Sequence, residues 1–168
     1  LVQAYCAQHY QSKPDAREIT RQVNLILGEL LLDEDVEYIL HHPWLQLNLL
    51  TTRCRGLSAT HQPALQALGF ALAFASNLRA RKNLATRFER CVFQKQTPAS
   101  PVLAPDAFRT HVCTLSAANL AAVTLASGTI PLMMETRRDI PQGPVGAHID
   151  GGMIDYHMDL PLQLDAAS

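Results

Sequence analysis

Helical and strand periodicities alternate along this chain, and the strand segments are short. Ser12-Lys-Pro-Asp15 reads as a helix start, with Pro in the first turn and Glu18 three residues after Asp15. Ile19, Val23, Ile26, Leu27 and Leu30 follow at helical spacing. A short second helix begins at Asp33 and Asp35 and stops at His41-His42-Pro43, because a residue before Pro is pushed out of the helical region. Trp44 to Thr52 alternates like a strand, and 56–62 reads as a loop. Pro63 starts a helix with Leu65, Leu68 and Leu72 on one side. Strands are expected at Phe88–Gln94, Arg109–Leu115 and Ala147–Asp150, and a buried helix at Ala117–Ser127. A Pro-rich loop covers 97–105 and a turn-rich loop 140–146. This order predicts an α/β fold, a layered sheet with flanking helices. Only about four strands are legible where sheets average about 5–6, so further strands are expected upstream and the sheet is expected to be incomplete here.

The composition narrows the function. The 168 residues suffice for one domain, and a formal net charge of −1 gives no overall field to gather nucleic acid or a charged membrane. Charged residues are 17% of the chain, which suits large buried faces or packing against more of its own chain. Cys6, Cys54, Cys91 and Cys113 form no C-x-x-C pair, so reduced, partly buried thiols in a cytoplasmic setting are expected rather than a disulfide framework. Leu1, Val2, Tyr5 and Cys6 already share a helical face without a signal-peptide pattern, so the true N-terminus is expected upstream. The charge-poor stretch 110–134 is long enough to span a bilayer, but its Ser, Thr, Asn and Pro content favours a strand followed by a buried helix.

The chemistry concentrates near the C-terminus. In 147–161 a strand ends at Asp150 and two glycines follow, Gly151 and Gly152. Glycine permits a sharp turn and close approach of other groups, and an Asp at a strand end before such a turn can face a cleft. About 20 residues earlier, Leu125-Ala-Ser-Gly-Thr-Ile-Pro131 ends the buried helix. The pair of an Ala-Ser-x-x-Ile-Pro helix end and Asp-Gly-Gly-x-x-Asp resembles the C-terminal part of the patatin-like phospholipase family. The likeness runs from about Arg109 to Pro161.

That resemblance implies a serine acyl hydrolase of lipid esters with a Ser–Asp dyad, needing no cofactor and meeting a membrane surface transiently. Asp150 corresponds to the dyad acid, Gly151 and Gly152 to the turn presenting it, and Asp155 to a second acid with a structural role. Tyr156 and His157 stand where the family often has Asn-x-Pro, so His157 is a supporting candidate at the pocket rim. No G-x-S-x-G is present. Gly56-Leu-Ser58-Ala-Thr60 lacks the second glycine and reads as a surface loop; Ser116 reads as a helix cap and Ser127 as packing the Ile130-Pro131 turn. The nucleophile is therefore expected before Leu1, the residues 1–168 as the C-terminal portion of one catalytic domain, and the isolated chain as inactive.

Two rival readings stand beside this one. The chain could keep the fold without the chemistry, as a binding module. Alternatively His148, Asp150, Asp155, His157 and Asp159 offer His and carboxylate ligands for a metal, though without an H-E-x-x-H spacing. Arg79, Arg81, Lys82, Arg87 and Arg90 read first as a solvated helix end, and second as a contact for phospholipid headgroups.

Overall fold

The computed structural model describes residues 13–97, 100, 102–103, 105–155 and 162–163. The fold is mixed α/β: a five-stranded sheet with helices on both faces. Helix α1 spans Ala16–Leu30 and α2 Asp33–Leu40. As its spacing predicts, α1 starts at Asp15, whose Oδ1 accepts the Glu18 N–H at 2.8 Å. Glu18 does not complete the reciprocal capping box, because its carboxylate is drawn to Arg21 at 2.7 and 2.8 Å.

Strand β1 (Asn48–Cys54) pairs antiparallel with β2 (Phe88–Gln94) over its whole length, from Asn48 opposite Gln94 to Cys54 opposite Phe88. Trp44 and Leu45 fall outside the strand and are exposed. Both of their N–H groups donate to Nδ1 of His42, and β2 ends opposite Asn48, so no ladder is offered to residues 44–47. Between β1 and β2 the chain forms a 3₁₀ turn at Gly56–Ala59, helix α3 at Pro63–Asn77 and a second 3₁₀ turn at Arg81–Thr86.

A two-residue strand β3 (Val102–Leu103) precedes β4 (Thr110–Thr114), which lies parallel to β2. Helix α4 covers Leu120–Ser127, beginning three residues later than the periodicity suggests. Ser116 therefore does not cap it. Residues 116–119 form a turn in which Asn119 Oδ1 accepts the Ser116 N–H, while the Asn119 amide donates to Thr114 and Pro141 carbonyls. The strand-then-helix reading of 110–134 holds, and no helix among the described residues is long and apolar enough to cross a membrane.

The short β5 (Arg137–Arg138) pairs antiparallel with β6 (Ala147–Asp150), and β6 with β1. The sheet order is thus β4-β2-β1-β6-β5. Residues 152–155 make one helical turn, α5, and β7 (Leu162–Gln163) pairs with β3 apart from the main sheet.

Alternation along the strands sends side chains to two cores. Cys54, Phe88, Ala147 and Ile149 meet Phe70 and Ala73 of α3; Cys91, Phe93 and Cys113 meet Leu120, Val123 and Ala126 of α4. Every residue of β2 is consequently buried. Helix α3 turns a different side inward than its leucines suggest. Gly69 lies against the backbone of Leu57 and Ser58 so closely that a Cβ would sit 2.4 Å from Ser58 N. That contact buries Gly69, Phe70 and Ala73 and leaves Leu65, Leu68 and Leu72 outside.

Candidate active site

Asp150 closes β6 opposite Thr51 of β1, on the α4 side of the sheet. It is half-buried. Its Oδ1 accepts the Gly152 N–H at 2.8 Å, and among the described residues its carboxylate makes no ion pair. The backbone explains the two glycines. At Gly151 a Cβ would lie 2.7 Å from the Leu50 carbonyl oxygen and 2.8 Å from Leu50 Cβ, so only glycine lets the chain turn against β1. At Gly152 a Cβ would come 3.2 Å from Asp150 Oδ1, crowding the carboxylate it holds.

The helix end singled out in the sequence meets this turn directly. The Asp150 N–H donates to the Thr129 carbonyl at 3.1 Å, and the Thr129 hydroxyl donates back to Leu125 at 2.8 Å. Residues 125–131 and 147–152, distant in sequence, therefore form one corner of the molecule.

Asp155 goes to the opposite, α3 side. Its Oδ2 accepts Arg90 Nε at 2.6 Å and its Oδ1 accepts Arg90 Nη2 at 2.8 Å, with Arg81 Nη2 at 3.1 Å. Arg90 is 2% exposed and also binds Asp106 at 2.8 and 3.2 Å. Both guanidinium groups lie over the Phe108 ring. The hydrogen bond to Asp155 raises the Arg90 pKa further, outweighing burial. Burial pushes the Asp106 pKa up, but the bonds from Arg90 and the Phe108 N–H prevail and hold it below the usual range. Asp155 is thus held in a buried arginine network.

No protein-family model, curated protein or solved structure matches this chain.

The metal reading loses two of its donors to other work. His148 is fully buried, with Nδ1 3.1 Å from the Thr51 hydroxyl and Nε2 2.9 Å from the Pro144 carbonyl. The Pro144 carbonyl needs an N–H, which assigns the neutral Nε2–H tautomer with Nδ1 accepting from Thr51. Asp155 is saturated by arginine. His157 and Asp159 lie outside the described residues, as do Tyr156, Pro161 and the helix expected at residues 1–10. Among the described residues no three His, Cys, Asp or Glu side chains converge on one point.

Ser58 is not on a surface loop. It is 1% exposed inside the 3₁₀ turn, and its hydroxyl donates to the Arg55 carbonyl. The Ser127 hydroxyl bonds back to Thr124 within α4 rather than to the Ile130-Pro131 turn. Cys54 and Cys91 are buried thiols whose pKa burial pushes up to about 12, so neither is a nucleophile at neutral pH.

Two clefts, of about 580 Å³ along 39–47 and about 540 Å³ between α1 and residues 132–138, both miss Asp150. Sequence reasoning placed Arg90 in a basic surface group and missed its role. The signal was present: Glu89 and Arg90 are the only charged residues of the strand Phe88–Gln94 and stand side by side among Phe88, Cys91, Val92 and Phe93, and charges buried there require partners. Glu89 finds its own on the other face, with Arg53 at 2.6 Å and His111 at 2.9 Å.

Proposed function

We propose that this chain carries the acid half of a patatin-like Ser–Asp dyad that hydrolyses acyl esters of lipids. A single observation carries the reading: among the described residues Asp150, held by the Gly152 N–H at a strand end, has no cation bound to it, while the acid five residues on is saturated with arginine. A carboxylate meant to accept a proton cannot be locked in an ion pair, since a bound guanidinium stabilises its charged form and weakens it as a base. The junction of Thr129 with Asp150 also supports the reading, because it unites the two segments that carry the resemblance.

In the reaction the Asp150 carboxylate takes the proton of a Ser hydroxyl as its oxygen adds to the ester carbonyl. The proton passes to the leaving alcohol, giving an acyl-enzyme. Asp150 then deprotonates the water that releases the fatty acid. The Ser comes from outside these residues, which contain no G-x-S-x-G. A second reading, the same fold serving as a binding module, is favoured by the position of both clefts away from Asp150.

A fluorophosphonate probe separates the two. In the protein that carries this chain, one adduct on a Ser beyond the 168 residues is expected, and Asp150→Asn should slow its formation by at least about 100-fold. Absence of any adduct on a folded protein would leave the binding module.

A further inference from the structure

The sheet carries two charge clusters, one on each face, and only one of them is balanced. On the α3 side Arg90 and Arg81 meet Asp155 and Asp106, two cations against two acids. On the α4 side a single acid, Glu89, is 1% exposed and surrounded by cations. Its Oε2 accepts Arg53 Nη1 at 2.6 Å and lies 2.9 Å from His111 Nε2, and its Oε1 lies 3.3 Å from Arg55 Nη1. Arg53 is fixed a second time, its Nε donating to the Val145 carbonyl at 2.8 Å. Arg109 joins them just before β4. Phe108 and Thr110, on either side of it, both meet Arg90 on the α3 side, so alternation turns Arg109 to the Glu89 side. There it is exposed and has no partner among the described residues. The other acid near this end, Asp139, accepts the Gly146 N–H.

Three guanidinium groups against one carboxylate leave two positive charges, and His111 adds a third when protonated. Helix α4 covers Cys91, Phe93 and Cys113 farther along the same face but not this end, and the Arg55 side chain is 52% exposed. Glu89 and Val145 hold Arg53 in place with Nη2 still free, so part of the ordering of a ligand site is done before binding. The cations arrive from two directions, Arg53 and Arg55 from β1 and Arg109 from two strands away, with backbones about 10 Å apart. A flat carboxylate is matched by a fork in its own plane, whereas phosphate oxygens point several ways and accept forks from several sides. We propose that this end of the sheet binds the diphosphate group of a soluble small molecule. Arg55, Arg109 and the free edge of Arg53 are its donors, and Glu89 is the positioning residue that aims two of them.

The inference is independent of the role given to Asp150, because its test reads binding and no hydrolysis. The intact protein is titrated calorimetrically with inorganic pyrophosphate, and separately with citrate, without divalent cations. Pyrophosphate should bind at least about tenfold more tightly than citrate, with an affinity that falls as salt rises. Arg109→Ser should weaken pyrophosphate at least about tenfold, the loss of charge-assisted bonds from one guanidinium. Because Arg109 has no partner to lose among the described residues, its thermal unfolding without ligand should be unchanged. Arg55→Ser should weaken binding by a similar factor, and a folded Arg109→Ser decides the matter if Arg55→Ser does not fold. Citrate binding as tightly as pyrophosphate, no pyrophosphate binding by the folded protein, or an affinity that Arg109→Ser leaves unchanged would each overturn the inference.

Discussion

Asp150 and Asp155 are five residues apart in one short motif, yet they occupy opposite electrostatic environments. Asp155 is buried, bidentate to Arg90, and bound by Arg81 as well. Asp150 is half-buried, with one backbone N–H at its carboxylate and, among the described residues, no cation. The route between them causes the difference: β6 ends on the α4 side, and the Gly151-Gly152 turn carries the chain over Leu50 to the α3 side, where Arg90 waits. A single motif thus supplies a fixed anchor and an uncommitted carboxylate. Only the anchor's side chain is tied into an ion-pair network among the described residues, so substitution should cost far more stability at Asp155 than at Asp150.

The largest effect should come from the anchor. Asp155→Ala leaves Arg90 buried with one of its two carboxylate partners gone, and loss of one member of a buried pair costs about 3–5 kcal/mol. Urea unfolding measures it. Replacing Arg90 and Asp155 together by Met and Leu should cost less than Asp155→Ala alone, because the charges that lose a partner, Asp106 and Arg81, both reach solvent, whereas Arg90 does not. A double variant worse than the single would show that geometry, not charge, is what Arg90 supplies. Next is the turn itself. Gly151→Ala drives a Cβ into the Leu50 backbone, and overpacking of this kind costs about 1–3 kcal/mol. Gly152→Ala, whose contact is a carboxylate oxygen able to shift, should be milder in the same assay.

The part of this corner that could be read in the sequence follows a clear division. Strands β2 and β6 have the bounds their residues predict, and α1 starts at the cap that Asp15 and Glu18 mark, because those signals are local. The inward side of α3 could not be read from its leucines. It was set by Gly69 meeting a 3₁₀ turn eleven residues back, a tertiary contact that outranks periodicity. Ser58 was misplaced for the same reason, since Gly69 packs over it. The arginines at Asp155 were visible as residues but not as partners: Arg90 joins Asp155 across 65 positions, and only the sheet register brings them together. The two motifs that carry Thr129 and Asp150 were legible in the sequence, but their meeting is a feature of the fold alone.

Acid should dissect the α4 side, where the comparison extends to His148. Burial holds the His148 pKa below its ordinary 6.5, with Arg53 and His111 nearby pushing the same way and the Pro144 carbonyl and Asp139 opposing. The unfolded chain therefore binds that proton more readily than the folded one. Stability is full above 6.5 and falls as the pH drops from there toward the folded pKa. Glu89 acts lower. Burial pushes its pKa up, but His111 and Arg53 prevail and hold it below 4.5, so its contribution is present above that value and is lost as the pH falls through the folded pKa. Two successive losses are expected in a pH series of urea midpoints. His148→Gln should lower the midpoint at neutral pH and remove the first loss; an unchanged profile would mean that His148 does not titrate with unfolding.

The smallest expected effect decides most. Asp150→Asn keeps an acceptor for the Gly152 N–H in the amide oxygen, and among the described residues it deprives no cation of a partner. Its cost in stability should stay within about 0.5 kcal/mol, the range of a substitution that removes no structural contact. The amide nitrogen adds donors, which a half-buried site open to water can satisfy. A fold left intact by Asp150→Asn, set beside one broken by Asp155→Ala, is what a residue kept for chemistry predicts. If Asp150→Asn instead unfolds the protein by several kcal/mol, then Asp150 is an anchor like Asp155, and the distinction on which its proposed role as a base rests disappears.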